Sequence, residues 1–321
     1  MRIFANANFP FLQWRRRAYV VSATLLAVGI GGMIYNWSTT GTWLNYGVDF
    51  TGGTLVHVDF QEAVSADQLR QVNPGWQIMR FGEPQEYEFI IRTAAFSEDL
   101  GEGAADVVGS ELGQRFGQGS FNIVRTEAVG PKVGNELQER ALLAILISFV
   151  LTLIYIAFRF EWRFGVASII ATAHDIIVTL GFLAILRNEI SIGTVAAFLT
   201  IVGYSLNDTI IVFDRIRENL GKRIRGSKYA DIVNRSINET LPRTVLTSGT
   251  TLVTLASLYL FGGAVIRDFA LVLILGIAIG TFSSIFVAAP ALHAIEGKWP
   301  RKEDRARGTG AATRRRPTAM V

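Results

Sequence analysis

The chain contains no cysteine, which excludes disulfides, thiol catalysis and cysteine-based metal sites and leaves the redox compartment open. It has no Walker-type phosphate loop, so nucleotide hydrolysis by that route is excluded. Histidine is scarce, with three in all. His174 and His293 have no glycine-flanked serine to activate, and His57 falls on a predicted strand as a surface residue. Two acids inside apolar runs, Asp175 and Asp208, invite comparison with intramembrane aspartyl proteases, because paired carboxylates can share a proton. They follow His174 and Asn207, however, and not the Tyr-Asp and Gly-x-Gly-Asp contexts such proteases carry. The sequence therefore predicts a protein that is not an enzyme and uses no metal and no cofactor. A small-residue cleavage site is also missing after the first apolar stretch, although its Trp-Arg-Arg-Arg prefix resembles a signal n-region. An uncleaved first helix is expected.

What is abundant is apolar sequence. Hydrophobic residues make up 50% of the chain, too many for an ordinary soluble domain, and they gather in blocks of membrane-spanning length. The formal charge of +4 hides an asymmetry. Arg15, Arg16 and Arg17 precede the first block, and Arg314, Arg315 and Arg316 end the tail. The segment Trp37–Leu137 holds fourteen acidic against six basic residues. Basic loops stay on the cytoplasmic side, so the acidic segment is placed across the membrane. The basic ends fit this topology and an attraction to anionic membrane lipid, and nucleic-acid binding is not expected.

These rules divide the chain into a cytoplasmic segment 1–17, spans at 18–36, 138–158, 164–186, 190–213, 244–262 and 269–290, and an external domain at 37–137. A cytoplasmic loop follows at 214–243, and a basic cytoplasmic tail at 291–321. Phe4, Phe9, Phe11 and Trp14 read as an interfacial anchor. Within the external segment, Thr54–Phe60 alternates as a strand, and Ser65 can cap a helix through Leu69 and Val72. Gln77–Phe81 and Tyr87–Arg92 read as strands joined by a Gly82-Glu83-Pro84 turn, Glu98–Phe116 as a helix, and Ser120–Val129 as a last strand. The order β-α-β-β-α-β predicts a ferredoxin-like α+β domain. The fold class expected is a polytopic α-helical membrane protein with six transmembrane helices and this small domain between the first and second.

A carboxylate in a lipid-length helix is costly unless it faces protein or water, which makes Asp208 the leading functional candidate. Tyr204 and Ser205 lie one turn back on its face. Arg243, expected to open the fifth span, and Arg215, two turns on, compete as its partner. Asp175 has Thr172 and Thr179 on its face, and Asp268 sits at the mouth of the last span, favourable for a helix N-terminus. Either a proton relay or a structural ion pair accounts for these residues. The Thr/Ser/Gly-rich fifth span reads as close packing, or as the lining of a water path to Asp208.

Several motifs occur in one order: Val-Asp-Phe-Thr-Gly-Gly at 48–53, Val-Gly-Pro-Lys-Val-Gly-Asn-Glu-Leu at 129–137, His174-Asp175, Asn207-Asp208 and Phe213–Glu218. Leu-Pro-Arg-Thr at 241–244 and Thr-Ser-Gly-Thr-Thr-Leu at 247–252 follow. Over nearly the whole chain, the tail excepted, this resembles the SecD/SecF family of bacterial protein-export membrane proteins, on its smaller, SecF side. The resemblance implies an RND-type half bundle that pairs with SecD in the inner membrane, and export of unfolded preprotein through SecYEG using the proton-motive force. It implies SecA as an indirect partner and YajC as a further one. It implies a proton pathway through Asp208, Arg243 and Asp268, with Asp175 in a His174-Asp175 motif of less defined role. Asp49, Gly52, Gly53, Gly130, Pro131, Asn207 and Arg215 are its motif positions. A passive translocase scaffold and an RND-type exporter of small molecules or lipids are the alternative functions.

Overall fold

A computed structural model describes Phe4 and residues 7–81, 86–93, 103–222 and 228–300. The tail beyond Pro300, the 82–84 turn and the first residues of the expected 98–116 helix lie outside the described residues. Among the described residues, six helices are long and apolar enough to cross a membrane. They are α1 (Arg15–Thr40), α5 (Pro131–Arg159), α6 (Trp162–Leu186), α7 (Ile192–Gly221), α8 (Tyr229–Phe261) and a last one in two parts. In that last helix α9 (Ala264–Ser283) passes through a π-helical segment, Ser284–Ala288, into α10 (Ala289–Lys298). A π turn widens the helix and shifts side-chain register, and such segments gather at functional positions.

Two helices run well beyond their apolar stretches. The charged segment 214–243 is mostly helix and not loop, because α7 continues to Gly221 and α8 starts at Tyr229. Arg243 therefore lies inside α8, directly after Pro242, and does not open it. The extension holds its shape through ion pairs. Glu239 accepts from Arg215 at 2.6 Å, Asn219 at 2.7 Å and Arg235 at 2.7 Å. The N-terminal segment is strapped to the same extension: Phe9 N–H donates to Asn238 Oδ1 at 2.7 Å, and Asn238 and Asn234 donate back to the Phe9 carbonyl. Phe11 and Leu12 are buried in the bundle core, so only part of the expected interfacial anchor is exposed. Local sequence favours an anchor here, but the asparagines supply partners that draw the chain inward.

Bundle packing depends on small residues, as expected where lipid leaves no hydrophobic drive between helices. At the α1–α6 crossing Gly29 faces Gly181, where a Cβ on Gly29 would lie 3.0 Å from the Gly181 Cα. Asn36 of α1 completes that contact by donating to the Ala184 carbonyl at 2.8 Å.

The small domain contains β2 (Gly53–Phe60), α3 (Ala66–Val72), β3 (Gln77–Phe81), β4 (Glu88–Thr93), α4 (Ala104–Phe116) and β5 (Phe121–Val129). Its sheet runs β3-β4-β2-β5 with antiparallel neighbours, the order of the ferredoxin-like split unit expected from sequence. Ser65 caps α3 with a reciprocal capping box to Gln68. Val56, Val58, Phe89, Ile91, Leu69 and Leu112 fill the core between sheet and helices. His57 is not a surface residue; it is buried, 2.7 Å from Glu88 and against the Phe81 ring.

A short parallel pair joins this domain to the bundle. β1 (Asn45–Tyr46) pairs with β6 (Glu189–Ile190), in the turn between α6 and α7. Single-turn helix α2 (Val48–Thr51) follows β1. Gly52 at φ 73° and Gly53 at φ 117° then turn the chain into β2, a conformation closed to residues with a side chain. Gly134, in the first turn of α5, packs on that turn so closely that a Cβ would lie 2.9 Å from the Gly52 nitrogen. The two glycine motifs are thus one structural joint.

Candidate functional site

The bundle interior holds two buried carboxylates in one polar layer. Asp208, on α7, is fully buried. Its Oδ2 accepts from Ser248 Oγ of α8 at 3.2 Å, and Thr281 of α9 donates to Ser248 at 2.8 Å. Asp208 Oδ1 is buried without a hydrogen-bond partner. Thr244 stands one turn before Ser248 on α8 and is likewise buried with an unpartnered hydroxyl. The exposed Arg243 acts on Asp208 through charge alone. Arg215 is not a partner of Asp208, being held by Glu239 and Glu218.

Asp175 has a different environment. Its Oδ2 accepts from Ser205 of α7 at 2.6 Å and from Ser283 of α9 at 2.7 Å, and its Oδ1 lies 3.0 Å from His174 Nδ1. The expected threonine neighbours serve the backbone instead, Thr172 donating to the Ser168 carbonyl and Thr179 to that of Asp175. Ser205 therefore belongs to Asp175 and not to Asp208, and Tyr204 reaches Thr251 at 3.3 Å. Asp175 ties α6 to α7 and α9, and its donor Ser283 is the last residue before the π segment. Close approach makes this geometry possible, since a Cβ on Gly280 would lie 3.0 Å from the Ser205 Cβ. Asn207, unlike its neighbour Asp208, is exposed, and lines a groove with Tyr155 of α5.

The third group lies where the domain meets the bundle. A cavity of about 550 Å³ there is lined by Asp49, Glu189 and Asp268, among others. Asp49 accepts at 2.9 Å from the Ile192 N–H, the first turn of α7, where a carboxylate satisfies an orphan donor and meets the positive end of the helix dipole. That is the structural use of the motif aspartate. Arg92 of β4, nearly buried, forms an ion pair with Glu189. Burial pulls the Arg92 guanidinium down to about 10, while the Asp49 and Asp268 carboxylates favour its charged form. Gly130 caps α5 and Pro131 opens it, where the missing N–H of a proline costs nothing.

Asp208, Asp175 and His174 thus come together in one layer, Asp49 and Asp268 share the outer cavity, and Arg215 stands apart. Ser248, Thr281 and Ser283 complete the layer. Only the Thr-Ser-Gly run around Ser248 gives a signal in sequence. Arg92 and Glu189 give none, since each is an ordinary charged residue beside a strand or turn.

The family model described as "Protein export membrane protein SecD/SecF, C-terminal" matches residues 108–298, and that of the SecD/SecF GG motif matches residues 37–64. Among relatives, the protein translocase subunit SecF of Gemmatimonas aurantiaca is 43% identical, covering 100% of this chain and 99% of its own length. SecF of Vibrio alginolyticus is 42% identical over 89% of each. The crystal structure of SecDF from Thermus thermophilus, a translocon-associated membrane protein, superposes with a TM-score of 0.79 at 37% identity. It covers 92% of this chain, which corresponds to 40% of that longer one. These matches follow the same glycine joint, ferredoxin-like domain and helical bundle, and the chain belongs to the SecD/SecF family of protein-export membrane proteins, as a SecF-type translocase subunit.

Proposed function

We propose that this subunit works with a SecD partner at the SecYEG channel, converting proton movement through Asp208 into preprotein export. Support comes from the contrast between the two buried carboxylates. A proton placed on Asp208 Oδ1 breaks no existing hydrogen bond, because that oxygen has none. Both oxygens of Asp175, by contrast, are already engaged, by three partners within 3.0 Å. That contrast supports assigning the proton to Asp208 and the fixing of helix positions to Asp175. The buried Thr244 hydroxyl and Ser248 mark a polar track along α8 toward Asp208, with the Arg243 charge beside it.

The SecD partner is inferred from the Thermus thermophilus SecDF, in which one polypeptide combines a region like this chain with a longer remainder. The exposed hydroxyl face of α8, Thr247, Thr250 and Thr254, is the surface assigned to that contact; each hydroxyl already donates to its own helix backbone. The distribution of Lys and Arg supports an orientation with both termini in the cytoplasm. SecA and YajC fit this reading only through the assembly, and no catalytic step is proposed.

Variants at Asp175 and Asp208 test the division of roles. Asp175→Asn is expected to export near normally, since the amide oxygen still accepts from Ser205 and Ser283 while its NH₂ can donate to a neutral His174. Asp175→Ala leaves the Ser205 hydroxyl without its acceptor, at about 1–3 kcal/mol, while Ser283 keeps the Gly280 carbonyl at 3.1 Å; it is expected to lower the melting temperature and the amount of assembled subunit. Equal loss of export in both Asp175 variants, at normal assembly, would give Asp175 the proton role instead.

A further inference from the structure

Among the described residues, the small domain is held to the bundle in two distinct ways. Its covalent connections are adjacent, because Gly53, where β2 begins, pairs with Val129, where β5 ends. One connection is the Gly52-Gly53 turn and the other is Gly130. Two neighbouring strands leaving through glycines make a hinge about which a sheet can rotate as a body. The second attachment is non-covalent. Arg92 pairs in register with Leu55 on β2, next to the hinge end of the sheet, and reaches across to Glu189 in the α6–α7 turn.

Glu189 is itself held in place. Its strand pairs with β1, the Ile190 carbonyl accepts from Gly47 N–H at 2.8 Å, and a Cβ on Gly47 would collide with the Glu189 carboxylate. The absence of a side chain at Gly47 therefore leaves room for Glu189 to lie flat across the backbone toward Arg92. Breaking a buried pair by removing one partner leaves an uncompensated charge, so such pairs act as positional locks more than as net stabilisers.

We propose that Arg92 and Glu189 form a conformational latch that holds the ferredoxin-like domain against the outer end of the bundle. Its release frees the domain to swing about the Gly52-Gly53 and Gly130 hinge. Asp49 and Asp268, which line the same cavity as Glu189, favour the charged form of Arg92 when the latch is shut. This latch is independent of the proton reading of Asp208, since it concerns only where the domain sits.

The test is a distance measurement on the full chain in lipid nanodiscs. The chain has no native cysteine, so Glu62→Cys at the domain tip and Leu260→Cys at the outer end of α8 are the only sites for spin labels. Pulsed electron–electron resonance should give one narrow distance distribution in the parent. In Arg92→Met it should broaden about twofold and extend to longer distances, with β2 amides still protected from hydrogen exchange. Glu189→Arg, which leaves the domain sequence untouched, should broaden it likewise. A parental distribution in Arg92→Met with β2 still protected overturns the latch. If Arg92→Met loses that protection, Glu189→Arg decides, and a parental width there overturns it.

Discussion

Asp208→Asn is expected to leave expression, membrane insertion and assembly at wild-type levels while removing the gradient-dependent share of preprotein export. Asparagine has the same shape as aspartate, and its amide oxygen still accepts from Ser248 in place of the 3.2 Å bond to Asp208. Its NH₂ takes the position of Oδ1, an atom that has no partner to lose. The fold therefore gives up little, and what disappears is the ability to carry a proton. Each proton moving across the membrane supplies about 2.3 kcal/mol per 100 mV, enough to bias a two-state equilibrium roughly fiftyfold. Export assayed in inverted vesicles, with the proton gradient present and then collapsed by an ionophore, reads this share directly. Wild-type export should fall on collapse, and mutant export should start at the collapsed level. Gradient stimulation that survives in Asp208→Asn would contradict the assignment.

Gly29→Leu is expected to have the largest structural effect. Gly29 and Gly181 bring the α1 and α6 backbones into contact, and a leucine can be admitted only by driving the helices apart. Overpacking costs about 1–3 kcal/mol where side chains can yield; here the obstacle is backbone, so the upper end applies. Separation would also break the Asn36–Ala184 hydrogen bond. Two residues further along α1, a Cβ on Gly31 meets nothing within 4 Å, so Gly31→Leu is the matched control and should be neutral. Thermal unfolding in detergent should show a lowered midpoint for Gly29→Leu alone. Equal midpoints would mean that the α1–α6 contact does not hold the bundle together.

The parts of this molecule legible in sequence are those with a local signature. Asp208 stands out because a single acid interrupts a long apolar run. The ferredoxin-like domain could be derived because strand alternation, the Ser65 cap and the β-α-β-β-α-β order are each local, and that order constrains the sheet. The glycine motif was legible as a turn, but not as the surface on which Gly134 packs. Asp175 could be seen as buried, whereas its donors could not be assigned, because Ser205 and Ser283 arrive from other helices and their rotation is set by packing. Heptad-scale geometry placed Ser205 one turn from Asp208, yet the tertiary contact gave it to Asp175. The Arg92–Glu189 pair and the Asn234/Asn238 strap have no periodic signal at all, since they join distant segments through side chains that are unremarkable in their own neighbourhoods. Helix extents failed for a related reason: α7 and α8 continue beyond the apolar stretch on ion pairs around Glu239, and hydropathy cannot register these.

The most direct measurement is proton flux in vesicles that contain this chain with the proposed SecD partner and a translocating preprotein, wild type against Asp208→Asn. The account predicts a substrate-dependent proton current in the wild type that is absent in the mutant, with both proteins present at equal density. Equal currents in the two, or a mutant current at the wild-type level, would contradict Asp208 as the proton carrier and leave it a structural acid beside Ser248.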